Sequence, residues 1–573
     1  MNKVLAIVAL SILLSACTEP VPEAEMSLID KADLVFFGGD IYTVNEAQPW
    51  ADSVAIKDGE IVYVGDKAGL KVWVNADTKQ RDLKGKMLLP GFIDSHAHPV
   101  MGGAYVRSLS LDTFATPKQW QQQVKDYAEQ NKDATVLFGY GFLASAFGPE
   151  GPNKAMLDEV VADKAVYIMD EGFHGAWANS KAIELLGINK DTPDPVPGFS
   201  YYKRDDFGEP TGYLLEDTAT AAVKALDIIT TESVAKGTAD VIDIMNSYGI
   251  TSVFDAGALD VESLQLNVLK EIVAQDQMSI RLVGAHMVSS VATMDEAVAT
   301  AAHKKAITKN ERFHINMLKI MNDGTIEGKT AGMFEDYQGE PGNKGETVFN
   351  QQQMNTMLTA AAAKDIDVHI HALGERAISE SLNAIEVARQ TYPKSTNRYA
   401  ICHIQVMADA DIERFAKLNV IAQSTPLWSS YDAYGKEFVS DDQFNRYFRF
   451  NSLKQAKVKM SFGSDFPASG AGTLGISPIF NMEIGLTRQE VGNPQAPVQP
   501  GKDERLDVAT LIKGYTLDAA YQLRLENSVG SIEVGKKADL VLLDKNLFAV
   551  DSYDIHKVVV LETILEGKTV YGD

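Results

Sequence analysis

"LLPGFIDSHAHPV", Leu88 to Val100, decides how the chain is read. It is an apolar run entered through a Pro-Gly step, and it carries two histidines one residue apart. Successive side chains of a β-strand face opposite sides, so Asp94, His96 and His98 share one face while Ile93, Ser95 and Ala97 share the other. Two imidazoles therefore reach into one space. Neutral imidazole is the commonest metal ligand. Alone, His-x-His is a short motif that also suits two hydrogen-bonded core histidines, so further ligands have to be found elsewhere.

Working outward, the central part of the chain alternates short apolar runs with amphipathic helical patterns, the texture of βα units and a parallel sheet. Eight runs read as strands: "GFIDSHAH", "AVYIM", "TSVFDAG", "INMLKIMNDG", "DVHIHALG", "YAICHIQ", "NVIAQS" and "VKMSFGSD". Helical patterns such as "QMNTMLTAAAAK", "AISESLNAIEVARQ", "ADIERFAKL" and "LDVATLIKGYTLDAAYQL" lie between or after them. Eight strands with intervening helices predict an α/β fold, a (β/α)8 TIM barrel, whose reactive residues sit at the C-terminal strand ends. Residues 103–162 form an oversized first connection, read as an insertion that shapes a lid or substrate lobe.

Both chain ends read differently. "ADLVFFGGDIYTV" and "SVAIKDGEIVYVGD", with Asp58-Gly59 as a hairpin turn, are β-like, and the texture returns in "GSIEVGKKADLVLLD" and "KVVVLETILEGKTVYGD". The expectation is a small β-sandwich domain from residues 32–89 and 524–573, with a barrel of residues 90–523 inserted between them.

The N-terminus stands apart from the fold. Lys3, the apolar run Val4 to Leu14 and then "LSAC" form the short basic, apolar and small-residue regions of a signal peptide. The pattern resembles a bacterial lipoprotein signal, residues 1–17, in which Cys17 becomes the lipidated first residue. Residues 18–31 read as a Pro/Glu-rich tether. Only Cys402 then remains, so no intramolecular disulfide is available. The expected location is a bacterial cell envelope, lipid-anchored and periplasm-facing, with Thr18 compatible with the outer membrane. Hydrophobic content of 45% and charged content of 23% fit a soluble globular body, and a net charge of −25 argues against a nucleic-acid or anionic-membrane surface.

The polar residues at the strand ends gather into one constellation: His96 and His98, Asp255, Lys319, His369 and His371, His403 and Asp465. Each has a plain reading by itself, a satisfied core histidine or a helix-capping aspartate. Barrel geometry brings all these ends to one rim, which predicts a metal site.

With that constellation in view, the sequence resembles the amidohydrolase superfamily, in the branch of N-substituted formamide deformylase-like metal-dependent hydrolases. The residues that carry the resemblance include "LPGFIDSHAHP", "HGAWANSKAIELLGI", "GEPTGYLLE", "GITSVFDAG", "KIMNDGTIEGKTA", "HALGERAI", "ICHIQ", "FGSDFP", "YTLDAAY" and "GSIEVGKKADLVLLD". The resemblance implies two divalent metal ions, zinc foremost. His96 and His98 would bind one, His371 and His403 the other, and Lys319, carboxylated by CO2, would bridge them. Asp465 would ligate the first ion and act as base, and His174 would contact substrate. Two departures stand out: Cys402 where the branch usually has Glu, and Glu375 where Asp is commoner. His369 reads as a neighbour of the ligands rather than one of them.

The function implied is hydrolysis of a non-peptide C–N bond, an amide, N-formyl, N-acyl or carbamate group, by a metal-bound hydroxide with Asp465 shuttling the proton. Two other readings stay open: a mononuclear deaminase of the same superfamily, and a membrane-tethered binding or regulatory lipoprotein with a relict site. Phe142, Phe173, Trp177, Trp428 and Tyr431 are expected to line an aromatic pocket. The expected partners are a small-molecule substrate, a membrane met through the lipid anchor alone and, as an option, a second copy in a homodimer.

Overall fold

The computed structural model describes residues 30–112, 115–148, 150–173, 175–195, 200–258 and 261–572. Cys17, with the leader and all but the end of the tether, lies outside the described residues, and so does His174.

Five strands come first: β1 (Leu34–Tyr42), β2 (Trp50–Lys57), β3 (Glu60–Gly65), β4 (Lys79–Asp82) and β5 (Met87–Pro90). β2 and β3 form an antiparallel hairpin through Asp58 and Gly59, whose φ values of 49° and 78° are the left-handed pair a tight hairpin turn requires. β6 (Phe92–Ala97) follows one residue after β5. That residue is Gly91, where any Cβ would stand 2.5 Å from the Thr251 side chain, so only glycine lets the chain pass here into the barrel.

The next six strands are β7 (Leu109–Ser110), β8 (Val136–Phe142), β9 (Ala165–Asp170), β10 (Gly175–Ala178), β11 (Tyr202–Arg204) and β12 (Pro210–Leu215), and they form a sheet of their own. Then come β13 (Ile250–Asp255), β14 (Arg281–Val288), β15 (Phe313–Met321), β16 (Asp367–Ala372), β17 (Tyr399–His403), β18 (Val420–Ser424) and β19 (Met460–Phe462). With β6 they make an eight-stranded parallel sheet in the order β6-β13-β14-β15-β16-β17-β18-β19, wrapped by helices: the (β/α)8 barrel. The loop after β19 draws the ring together, since Asp465 N–H donates to the His96 carbonyl (2.7 Å) and His98 N–H to the Phe466 carbonyl (2.8 Å). Finally β20 (Leu540–Leu543), β21 (Val560–Leu565) and β22 (Lys568–Gly572) join the first strands in one sheet, β22-β21-β20-β5-β1-β2-β3, with β4 beside β1. No helix of the described residues is long and apolar enough to cross a membrane.

Two strand expectations are corrected. "AVYIM" is not a barrel strand: it is β9, parallel to β8 and antiparallel to β10 in the separate sheet. The third barrel strand is β14, "RLVGAHMV", whose Arg281, Gly284 and His286 break the apolar run that marks a buried strand. Arg281 is tolerated because Asp539, just before β20, and Glu566, just after β21, both accept from its guanidinium. Asp255 therefore ends the second barrel strand, not the third.

The helical run expected from Leu506 to Leu523 is two helices, Val508–Gly514 and Leu517–Gln522. Between them the Tyr515 carbonyl accepts from Ile93 N–H (2.7 Å), a bond that ties the break to the first barrel strand. The alternation of β6 is as expected. Ile93 packs outward with Phe254, Val283, Met317, Ala519 and Leu523, which leaves Asp94 and His96 to the interior.

Candidate metal centre

His96 stands near the end of β6 and His98 just past it, at the residue before the helix Pro99–Tyr105. Asp465 follows β19 with φ 54°, an αL conformation that fits a short polar side chain. Its Oδ1 lies 3.3 Å from His96 Nε2 and 3.2 Å from His98 Nε2, all three residues being buried.

The neighbours fix which ring nitrogens carry protons. His98 Nδ1 lies 2.6 Å from the Gly257 carbonyl, which only accepts, so Nδ1–H donates there and Nε2 keeps a lone pair. His96 Nδ1 lies 3.1 Å from Gln423 Oε1, whose amide nitrogen is spent on the Ser424 carbonyl, and 2.9 Å from His369 Nε2; the Gln423 oxygen only accepts, so His96 donates from Nδ1 and His369 Nε2 accepts. Two lone pairs and a carboxylate oxygen then face one another with no proton between them, and Asp465 Oδ1 is a buried atom without a hydrogen-bond partner. Such a set asks for a cation. The spacing agrees, because tetrahedral bonds of about 2.0–2.1 Å place ligand atoms about 3.3 Å apart.

Asp94 holds this arrangement in register. Its carboxylate accepts from His96 N–H (3.1 Å), Ser464 N–H (3.0 Å) and Ser464 Oγ (2.6 Å), joining the first strand to the loop that carries Asp465. Burial outweighs these bonds and pushes its carboxyl up to about 7. Asp255, also buried, accepts from Gln265 (2.9 Å) and Gly257 N–H (3.2 Å) and is pushed up to about 6 by burial; it positions the residue whose carbonyl orients His98.

On the other side, β15 delivers Lys319 with its Nζ 3.2 Å from His96 Nε2 and 3.3 Å from Cys402 Sγ. Lys319 pairs in register with His369, and His371 with Cys402. His369 places Nε2 2.9 Å from His96 Nδ1 and so buttresses the His96 ring. Burial, then Lys319, holds the imidazoles of His96 and His369 well below their ordinary range; burial, then His371, does the same to His403. Neutral rings are the form that binds metal.

Strand alternation would send Cys402 and His403 to opposite faces, yet both turn inward. His403 has φ 72° and Ile404 φ 46°, and the bend is held by Ile404 N–H on the Ala372 carbonyl (3.1 Å) and by Ser424 Oγ on the His403 carbonyl (2.9 Å). Ligand atoms of His96, Cys402 and His403 all lie within 4.8 Å of one another, as do those of His96, His98 and Asp465. His371 stands beside the group of His96, Cys402 and His403, its ring 4.5 Å from that of His403, while its Nε2 faces the Gly324 carbonyl (3.4 Å) and Asp323 Oδ1 (3.6 Å). Of the six residues expected to hold metal, His96, His98, Asp465, Lys319 and His403 thus converge, and His371 flanks them.

Strand-end reasoning misses two buried residues, Asp323 and Gln423. Asp323 collects the amides of Gly332 (3.0 Å), Leu373 (3.1 Å) and Gly374 (3.0 Å) and pins the loops after β15 and β16; burial pushes its carboxyl up to about 7. The polar residue inside "VIAQS" is the available signal for Gln423.

The expected aromatic pocket is corrected in part. Trp428 is at the site, its ring 5.5 Å from His403. Phe142 and Trp177 are fully buried in the hydrophobic core of the separate sheet, where Phe142 packs on Trp120 and on Trp177. Phe173 packs on Tyr105 and Tyr140, and Tyr431 on Phe444.

Residues 79–571 match the sequence model of the Amidohydrolase family. The chain belongs to this family. The exoenzymes regulatory protein AepA of Pectobacterium carotovorum subsp. carotovorum is 31% identical over 408 residues, spanning 70% of this chain and 86% of its own. An N-substituted formamide deformylase of Arthrobacter pascens is 25% identical over 559 residues, 94% of this chain and 98% of its own. An uncharacterized metal-dependent hydrolase from Pyrococcus horikoshii OT3 shares the fold with a TM-score of 0.73 at 24% identity, covering 91% of this chain and 99% of that one. Membership makes this a metal-dependent hydrolase of the amidohydrolase superfamily, in accord with the donor set.

Proposed function

We propose that the chain hydrolyses a non-peptide C–N bond in a small molecule, an N-formyl, N-acyl, amide or carbamate group, with two divalent ions, zinc foremost. One observation carries the reading: Asp465 Oδ1, buried and unpartnered, facing the Nε2 lone pairs of His96 and His98 at the C-terminal end of the barrel. The formamide deformylase of Arthrobacter pascens, similar along nearly the whole chain, supports the bond class.

When bound, divalent ions polarise a carbonyl and generate a water-derived nucleophile near neutral pH. His96, His98, His371, His403, Asp465 and a carboxylated Lys319 would hold them. Asp465 takes the proton of the attacking water and returns it to the departing amine nitrogen, which leaves neutral. His174 is assigned to the substrate carbonyl oxygen on the resemblance alone. Trp428, beside His403, offers an apolar face to the acyl or amine group.

The competing reading, a regulatory or binding protein with a relict site, draws on the name of the Pectobacterium relative. The convergence of Asp465, His96, His98, Lys319 and His403 disfavours it. A deaminase is disfavoured by Lys319, buried within 3.2 Å of a histidine expected to bind metal. Outside the described residues, Cys17 is proposed as the lipid-bearing residue that anchors the chain on the periplasmic side of a bacterial envelope.

The test is a panel of N-formyl amines, N-acyl amines, N-acyl amino acids, carbamates, lactones and an aminopurine offered to metal-loaded protein, followed by release of amine, acid or ammonia. Turnover of a C–N substrate supports the reading. Turnover confined to lactones, or ammonia release from an aminopurine, would replace it.

A further inference from the structure

Cys402 is a fully buried thiol at the end of β17, and a buried cysteine ordinarily packs as a small apolar residue. Its surroundings here are polar. Lys319 Nζ lies 3.3 Å from Sγ, and ring nitrogens of His96 and His403 stand within 4.8 Å of it. The residue shares the inward face of the sheet with His371, its register partner, and the φ of 72° at His403 lets the next residue turn inward as well. A second, independent observation marks the same space as one that takes a cation: Asp465 Oδ1 is buried, has no hydrogen-bond partner and lies 3.3 Å from the His96 ring that also neighbours Sγ.

We propose that Cys402 is itself a metal ligand, its Sγ entering the centre between His96, on the Asp465 side, and His403, on the His371 side. The proposal rests on the metal-centre reading of this site and goes beyond it, because it gives the centre a sulfur donor beside nitrogen and oxygen. On binding, the S–H bond breaks, the sulfur electron pair forms the bond to the ion and the proton passes to solvent. A thiolate biases the site toward softer ions, so zinc, cobalt and cadmium should bind in preference to magnesium or manganese.

The sequence makes the proposal easy to isolate, since Cys17 and Cys402 are its two cysteines. X-ray absorption at the zinc edge of zinc-loaded full-length protein should show a sulfur shell at about 2.3 Å beside nitrogen and oxygen at about 2.0–2.2 Å. In Cys402→Ser that shell should disappear while circular dichroism stays native. Cobalt-loaded wild-type protein should show a sulfur-to-cobalt charge-transfer band that Cys402→Ser lacks. Should Cys402→Ser fail to fold, the wild-type absorption spectrum and the cobalt band decide. Metal-bearing wild-type protein with only nitrogen and oxygen neighbours overturns the sulfur ligand and leaves the metal centre standing. Wild-type protein that holds no metal after loading overturns both.

Discussion

Asp465 Oδ1 stands 3.2 Å from His98 Nε2, and the two are held there by different strands: His98 by the Gly257 carbonyl beyond β13, Asp465 by a loop fastened to Asp94 of β6. A lone pair and a carboxylate oxygen at that distance, with no proton between them, have a cation as their natural third member. The proposed chemistry then turns on Asp465, assigned there as both ligand and proton carrier.

Asp465→Asn keeps the shape but cannot take up a proton. On any substrate the panel identifies, kcat should fall by about 10²–10⁴-fold, the range of a lost general base, while the ion on the His371 and His403 side is retained. Near-normal kcat in metal-replete variant protein would remove Asp465 from the mechanism.

Lys319 is expected to be a carbamate. An ammonium has no lone pair to give an ion and repels it, whereas the neutral amine adds to CO2 and releases one proton, giving a carbamate whose two oxygens share one negative charge. Intact mass of gently handled active protein should show one added CO2, and Lys319→Ala should hold one metal fewer. An unmodified lysine in active protein, or full metal content in Lys319→Ala, would exclude the carbamate.

A pH effect is expected away from the site, at Glu262 in the first turn of the helix Glu262–Ala274. Burial pushes this carboxyl up, but the bonds from His286 Nδ1 (3.0 Å) and Lys304 Nζ (2.5 Å) outweigh it and hold the group at about 2. The folded value lies below the ordinary 4.5, so the native state binds fewer protons than the unfolded chain between the two. The stabilisation, of order 3 kcal/mol, is present above about 4.5 and is lost as pH falls toward about 2. Glu262→Gln should therefore flatten the acid limb of Tm against pH. An acid limb as steep as that of the wild type would contradict it.

The membrane expectation is separable from all of these. Cys17→Ser should leave the membrane fraction for the soluble one while keeping activity; a variant that still sediments with membranes would show that Cys17 is not the anchor.

How much of the site is legible in the sequence depends on which physical rule sets each residue. Strand alternation alone puts Asp94, His96 and His98 on one face, and His369 with His371. The same rule misplaces Cys402 and His403, because their common direction comes from a backbone bend fixed by Ala372 and Ser424, partners distant in sequence. "AVYIM" shows the limit of an apolar run, which reveals a strand but not its neighbours. β14 shows the converse: its Arg281 is balanced by Asp539 and Glu566, some 258 and 285 residues away, so the strand looks too polar until the fold is assembled.

The most direct test of the central claim is a zinc titration of metal-free protein, with bound metal and amine release from a C–N substrate of the panel read on the same samples. Two ions per chain are expected, with amine release rising as they bind and lost in His98→Ala together with the first ion. Metal-free protein that hydrolyses the substrate at full rate, or a chain that takes up no zinc, would contradict the account.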